Sequence, residues 1–362
     1  MSGVRRTDTP YAWPTTLIYP APGLRLVYLD LNHWIHLAQA ATGHPNGAQY
    51  LGVLETLRQA KASGDFIFPL SATHYMEVAP IKDPRQRADV AAIMEELSDF
   101  TTLVSQAVIA RLEVDAALDA IAGPKRQVHL PVPLLGQGVL HAFGRPGGWT
   151  EYFQHGAIAS FLRGSVPSDT EGFDALIERA QLYLERELLR GPTDAQVAAL
   201  KAAGWDPTVA RQHAERRAAF ERELVTMLSD DPYWRVVRLR DVIASRFVMH
   251  EINEILAGEV SVRGIDVEMA WAEPGSMRAL IDSMPSGDAS VSLFAAVHRN
   301  AKSRWTREDI FDMQALTLAV PYCDAVVTDR HACHILHSAG LPARMETVVL
   351  ASLEELADLL DD

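Results

Sequence analysis

The sequence is poor in cysteine, in long apolar runs and in glycine-rich phosphate loops, and each shortage removes a class of protein. Only Cys323 and Cys333 occur among 362 residues, too few for a disulfide framework, so they read as reduced thiols of a cytoplasmic protein. No stretch reaches the roughly 18 uninterrupted apolar residues of a membrane-spanning helix, so no membrane association is expected. The opening segment, with Pro10, Pro14, Pro20 and Pro22, lacks the sustained apolar core of a signal peptide. There is no Walker or Rossmann glycine motif and no serine elbow, which argues against an NTPase, a dehydrogenase and a serine hydrolase. His250-Glu251-Ile252-Asn253-Glu254 lacks the second histidine of a zincin motif, and Cys323, His331, Cys333 and His334 are spaced across two elements instead of as a zinc set. Positive charge is scarce too. With 33 Lys and Arg against 47 Asp and Glu, the net charge is -14, which excludes general coating of nucleic acid but leaves room for a local basic groove.

What is present is an α/β pattern at both ends of the chain. Leu24 to Asp30 reads as a strand, and Leu31 to Ala41 as a helix with Leu31, Trp34, Ile35 and Ala38 at helical spacing. A helix from Gln49 to Ser63, a strand from Phe66 to Leu70, a helix carrying Glu77, a helix from Arg85 to Ser98, a strand from Thr101 to Val104 and a helix from Gln106 to Ile121 follow. The pattern returns with a helix from Thr306 to Val320, a strand from Asp324 to Thr328, a helix from His331 to Ser338, a strand from Thr347 to Leu350 and a helix from Ser352 to Leu360. Between the two ends, the Gly- and Pro-rich stretch to Gly148 predicts an irregular connection, and Gly191-Pro192, Gly204-Trp205 and Asp230-Asp231-Pro232 predict breaks between the segments that follow. The segments beyond Gly148 predict helices at about Thr170 to Leu189, Thr193 to Ala203, Ala210 to Leu228 and Pro232 to Leu256, whose Arg211, Arg216, Arg217, Arg222, Arg235, Arg238, Arg240 and Arg246 interleave with acids as ion-paired faces. Alternating strands and helices at both ends predict one parallel-sheet domain, discontinuous over 24–122 and 303–362, with a mainly helical insertion over 123–302.

The chemistry sits in carboxylates that end strands or begin helices. Asp30 leaves the first strand, Glu77 follows the second, Asp312 lies early in the helix from Thr306, and Asp329 leaves the strand Asp324 to Thr328. Carboxylates brought together repel and call for a cation. Oxygen ligands in this number suit Mg²⁺ or Mn²⁺, and two such ions serve phosphodiester hydrolysis without a Lys, Ser or His nucleophile. Asp309, three residues before Asp312 on the same helix face, is a further candidate ligand. Asn32 and Ser71 are candidates to orient a ligand or a metal-bound water. His33, His36 and His74 are candidates to touch a phosphate.

These residues resemble the PIN domain, a metal-dependent ribonuclease family. The likeness rests on Asp30 with Asn32, Glu77, Asp312 with Ala315 and Ala319, the phrase Cys323-Asp324-Ala325-Val326-Val327-Thr328-Asp329, and the closing Thr347-Val348-Val349-Leu350 with Ser352-Leu353-Glu354-Glu355-Leu356. It covers about 24–104 and 306–362 and says nothing of the middle. It implies a PIN-like αβα sheet domain and an acidic cluster binding Mg²⁺ or Mn²⁺. Asp30, Glu77 and Asp312 match the family's metal-binding acids, Asp329 the acid after the last apolar strand, and Thr328 its neighbour. Thr328 and Asp329 are adjacent here, where many members place another residue between them. The implied activity is endonucleolytic cleavage of single-stranded or structured RNA, in RNA processing or as a toxin held by an inhibitory or regulatory protein partner. The alternative is a catalytically inactive PIN-like module serving as an RNA- or protein-binding adaptor.

Overall fold

The computed structural model describes residues 10–124, 130–149, 170–203, 206, 208–266, 268, 271–273 and 275–361. Residues 1–9 of the proline-rich arm and the expected break at Gly204-Trp205 lie outside the described residues. The chain is mixed α/β, dominated by helices, with small parallel sheets. It forms two compact units, each assembled from three separated stretches: 1–30, 106–133 and 208–356 in the first, 31–105, 134–207 and 357–362 in the second. These bounds differ from the expected 24–122, 123–302 and 303–362, because residues 208–302 pack with 303–356 as one body.

The centre of the first unit is a run of short parallel strands. Arg25–Leu29 pairs with Ala325–Val327, which pairs in turn with Val348–Leu350. Leu26, Val27, Tyr28 and Leu29 are all buried, the signature of a strand covered on both faces, where alternation disappears. The same unit contains two helices missed by the sequence reading, Ser276–Ser283 and Pro285–His298. The second is buried almost all round and packs on Arg307–Tyr322. Its approach to the preceding helix is close enough that a Cβ at Gly287 would stand 2.8 Å from the Ile281 carbonyl oxygen.

The middle of the chain is helical, as expected, with Val209–Asp230, Pro232–Val236, Leu239–Phe247 and Asn253–Arg263. The single helix expected over 232–256 is instead three pieces, with a π turn at Val248–Ile252. Many of its arginines are neutralised. Buried Glu221 accepts from Arg246 Nε at 2.6 Å and lies 2.8 Å from His298 Nε2. Glu251 accepts from Arg246 at 2.9 Å and also holds Arg217. Burial alone would push Glu221 up, but His298 and Arg246 together hold it below the usual carboxylate range. Asp288 gathers Arg240 at 2.6 Å, Arg344 at 3.0 Å and the Tyr11 hydroxyl at 2.7 Å.

In the second unit the helices Leu31–Ala41, Leu51–Ser63, Ala72–Val78 and Pro84–Ser98 appear close to where the periodicity placed them. The stretch expected to be irregular holds order instead. Leu135–Gln137 pairs antiparallel with Thr101–Leu103 and leads into a short helix, Gly138–Ala142. In the first unit, Val132–Pro133 pairs with Leu17–Ile18. Glu185, on the helix Thr170–Arg190, stabilises that turn: its carboxylate accepts from the Val139 N–H at 2.9 Å, the Tyr75 hydroxyl at 3.2 Å and the Trp149 indole. No helix among the described residues is long and apolar enough to cross a membrane.

Candidate functional site

Parallel register decides where the acids go. Leu29 lies opposite Val327, so the next residues along, Asp30 and Thr328, leave the carboxyl edge side by side, the edge where such sheets keep their chemistry. The Asp30 N–H donates to the Val327 carbonyl at 2.9 Å, and Thr328 Oγ1 donates to Asp30 Oδ2 at 3.4 Å. Asp30 is 8% exposed and Thr328 is buried. One residue on, Asp329 begins the helix Arg330–Ser338. Its Oδ1 accepts from the N–H groups of His331 at 2.6 Å and Ala332 at 2.9 Å, satisfying two donors a helix start leaves open.

The helix Arg307–Tyr322 supplies the other two acids of this unit. Thr306 caps it, and Asp309 closes a capping box, with Asp309 Oδ2 accepting from Thr306 N at 2.7 Å and Thr306 Oγ1 at 2.8 Å. One turn further in, Asp312 has no hydrogen-bond donor among the described residues. Its carboxyl is pushed up to about 8, first by burial and then by the negative charges of Asp30, Asp309, Asp329 and Glu308. Acids delivered by two strands and one helix are therefore within electrostatic reach of one side chain. Asp324 takes no part in this cluster: its Oδ2 accepts from the Leu26 N–H at 2.8 Å at the other end of the strands.

A cleft of about 310 Å³ opens here, lined among others by Lys302, Arg304, Trp305, Asp309, Asp312 and Asp329. That is the small end of ligand clefts, the size of a phosphodiester unit and hydrated ions. His331 also borders it. The cations and the tryptophan were not singled out by the sequence reading. A signal was available, since His298-Arg299-Asn300-Ala301-Lys302-Ser303-Arg304-Trp305 carries three cations and no acid in a chain of net charge -14.

The remaining expected residues belong to the second unit. Glu77 is half-buried on the helix Ala72–Val78, and Asn32 is exposed in the first turn of Leu31–Ala41. Ser71 is a buried helix cap: its N–H donates to His74 Nδ1 at 3.0 Å, and its hydroxyl lies 2.7 Å from that of Thr73. His74 thus has a structural partner.

The donor set of the first unit suits a hard divalent cation. It consists of carboxylate oxygens, and its crowding is relieved by positive charge. Among the described residues no three His, Cys, Asp or Glu side chains stand close enough to hold an ion between them. Asp30, Asp309, Asp312 and Asp329 are the residues that would hold such a cation. Compared with known proteins, the chain matches no family model, no curated protein and no solved structure. Its likeness to PIN domains therefore rests on the residues quoted above.

Proposed function

We propose that this chain is a PIN-like endoribonuclease that uses Mg²⁺ or Mn²⁺ at the cluster of Asp30, Asp309, Asp312 and Asp329. One observation carries the reading: the Asp312 carboxyl, without a hydrogen-bond donor among the described residues, is raised to about 8 by burial and by the charges of Asp30, Asp309 and Asp329. Such an arrangement costs stability in the bare protein, and proteins keep costs of this kind where chemistry needs them. Divalent ions, when bound, supply an activated water and stabilise the leaving oxygen of a phosphodiester. The protein's share is to fix the carboxylates at the sheet edge, to hold Asp30 through Thr328, and to present Lys302 and Arg304 to phosphate oxygens.

The test is cleavage of single-stranded RNA by purified protein with Mn²⁺ or Mg²⁺. Asp30→Asn and Asp312→Asn are each expected to lower the rate by about a hundredfold or more, since a lost site of charge stabilisation is worth that much, while thermal unfolding stays cooperative. Cleavage at the wild-type rate in both variants and in EDTA would overturn the proposal. Tight RNA binding without Mn²⁺ binding, measured by calorimetry, would make the chain an adaptor instead of an enzyme.

A further inference from the structure

We propose that the loop 299–306 and the aromatic pair Tyr233 and Trp234 form a track for single-stranded nucleic acid leading into the acidic cleft. Arg299, Lys302 and Arg304 are exposed, and none forms an ion pair among the described residues. Nearby arginines behave otherwise. Arg238 pairs with Asp241, Arg240 with Asp282 and Asp288, and Arg307 with Glu308. In a chain of net charge -14, acids are plentiful enough to neutralise a surface cation, so three unpaired ones along one short loop are left available to a ligand's phosphates.

The loop is also held in place from outside. Arg235 Nε donates to the His298 carbonyl at 3.2 Å just before it, and Arg222 Nη1 donates to the Trp305 carbonyl at 2.8 Å near its end. Trp305 itself stacks on Phe294 at 5.2 Å between ring centroids. Its indole N–H has no hydrogen-bond partner among the described residues, although the residue borders the cleft. The backbone is anchored by arginines of other helices, and the loop's own cations remain available to phosphates.

The aromatic pair is joined to this loop by Arg235. That arginine belongs to the helix Pro232–Val236, whose Tyr233 and Trp234 are 51% and 44% exposed, with rings 5.6 Å apart at 79°. Large aromatic faces left in water on the helix that anchors a loop of unpaired cations match unstacked bases and their phosphates, the combination by which single strands are held. A duplex offers no free base faces to such a pair. A protein partner would bring a charge-depleted core against the three cations, which disfavours it.

The identity of the strand as RNA rests on the function proposed above, so binding is measured apart from cleavage. Full-length protein carrying Asp312→Asn, in EDTA, is titrated into a fluorescein-labelled oligouridylate of about a dozen nucleotides, within the usual span of such sites, at several salt concentrations. Replacing Arg299, Lys302 and Arg304 together by Ala is expected to lower the slope of log affinity against log salt by about two, as loss of three phosphate contacts requires. Trp234→Ala is expected to weaken binding about fivefold or more at constant slope. Duplex RNA of equal length should compete poorly. An unchanged slope in the triple variant, a neutral Trp234→Ala or equal binding of duplex overturns the track, even if the wild-type protein cleaves RNA. A concentration-dependent dimer abolished by Trp234→Ala would give the aromatic pair to a second copy and likewise overturn it. Loop-dependent binding by a protein that cleaves nothing would keep the track and remove the enzyme.

Discussion

Asp309 and Asp329 each commit one carboxylate oxygen to a helix N-terminus, Oδ2 in the first and Oδ1 in the second, and each also borders the cleft. Their substitutions should therefore separate two roles. Asn keeps an acceptor for the cap and removes the charge, so Asp309→Asn is expected to leave the melting temperature nearly unchanged while lowering Mn²⁺ affinity. Asp309→Ala should in addition cost about 1 kcal/mol through loss of the cap, read by chemical denaturation. Asp312 should show the opposite pairing of effects. Asp312→Asn removes a carboxyl crowded by four like charges, so the metal-free variant is expected to melt higher than the wild type while losing cleavage.

A second buried acid gives a pH prediction. Glu113 accepts from the Ser286 N–H at 2.9 Å, the Ser286 hydroxyl at 2.6 Å and the Tyr322 hydroxyl at 2.6 Å. Burial nevertheless raises it to about 7, above its value in an unfolded chain. The folded state then binds more protons than the unfolded state between about pH 4.5 and 7. The contribution from this group is full below that window and falls as pH rises through it, by on the order of 3 kcal/mol. Glu113→Gln should flatten that part of the stability profile in denaturant titrations from pH 4.5 to 8. A slope equal to the wild type's would refute the assignment.

At the scale of elements, strands buried on both faces were the most legible part of the sequence. Short apolar runs ending in an acid have few other readings, and Arg25–Leu29 and Ala325–Val327 stand within a residue or two of their expected bounds. Two helix starts carry an equally local signal, Thr306 with Asp309 and Asp329 before Arg330, but Asp309 and Asp329 were read as metal candidates and not as caps. The helix Pro285–His298 was not legible, because Pro285-Ser286-Gly287-Asp288 reads as a turn. Its order comes from distant partners, Glu113 on Ser286 and Arg240 and Arg344 on Asp288. The loop 299–306 has no periodicity to detect, so its cations entered only once the cleft had formed around them.

The same distance dependence governs the Glu221 network. Arg246→Met removes one of the two partners of Glu221, the other being His298, and one partner of Glu251, leaving buried negative charge only partly compensated. The expected loss is about 3–5 kcal/mol, measured by denaturant unfolding, and pairing with Glu221→Leu should recover part of it. In the other unit, a Cβ at Gly138 would land on the Glu185 carboxylate, and the glycine's φ of +75° already disfavours a side chain. Gly138→Ala should destabilise that unit by more than about 1 kcal/mol.

For the whole molecule, the expected parallel-sheet character was legible because strands lie near both termini, whereas the partition into units was not. Residues 208–356 join 1–30 and 106–133 through packing faces separated by long stretches of chain, which no local pattern records. Neither unit is a contiguous piece of sequence. Fragments 1–133 and 208–362 expressed singly are accordingly expected to lack cooperative unfolding by calorimetry, since each omits stretches that complete its core.

Asp30 and Thr328 are 298 positions apart in the chain, and Asp309, Asp312 and Asp329 all come from its last stretch. During synthesis Asp30 is made first and then waits for its companions until residues 309 to 329 have been added. A nascent chain that has not yet reached Asp329 therefore possesses no assembled acidic centre.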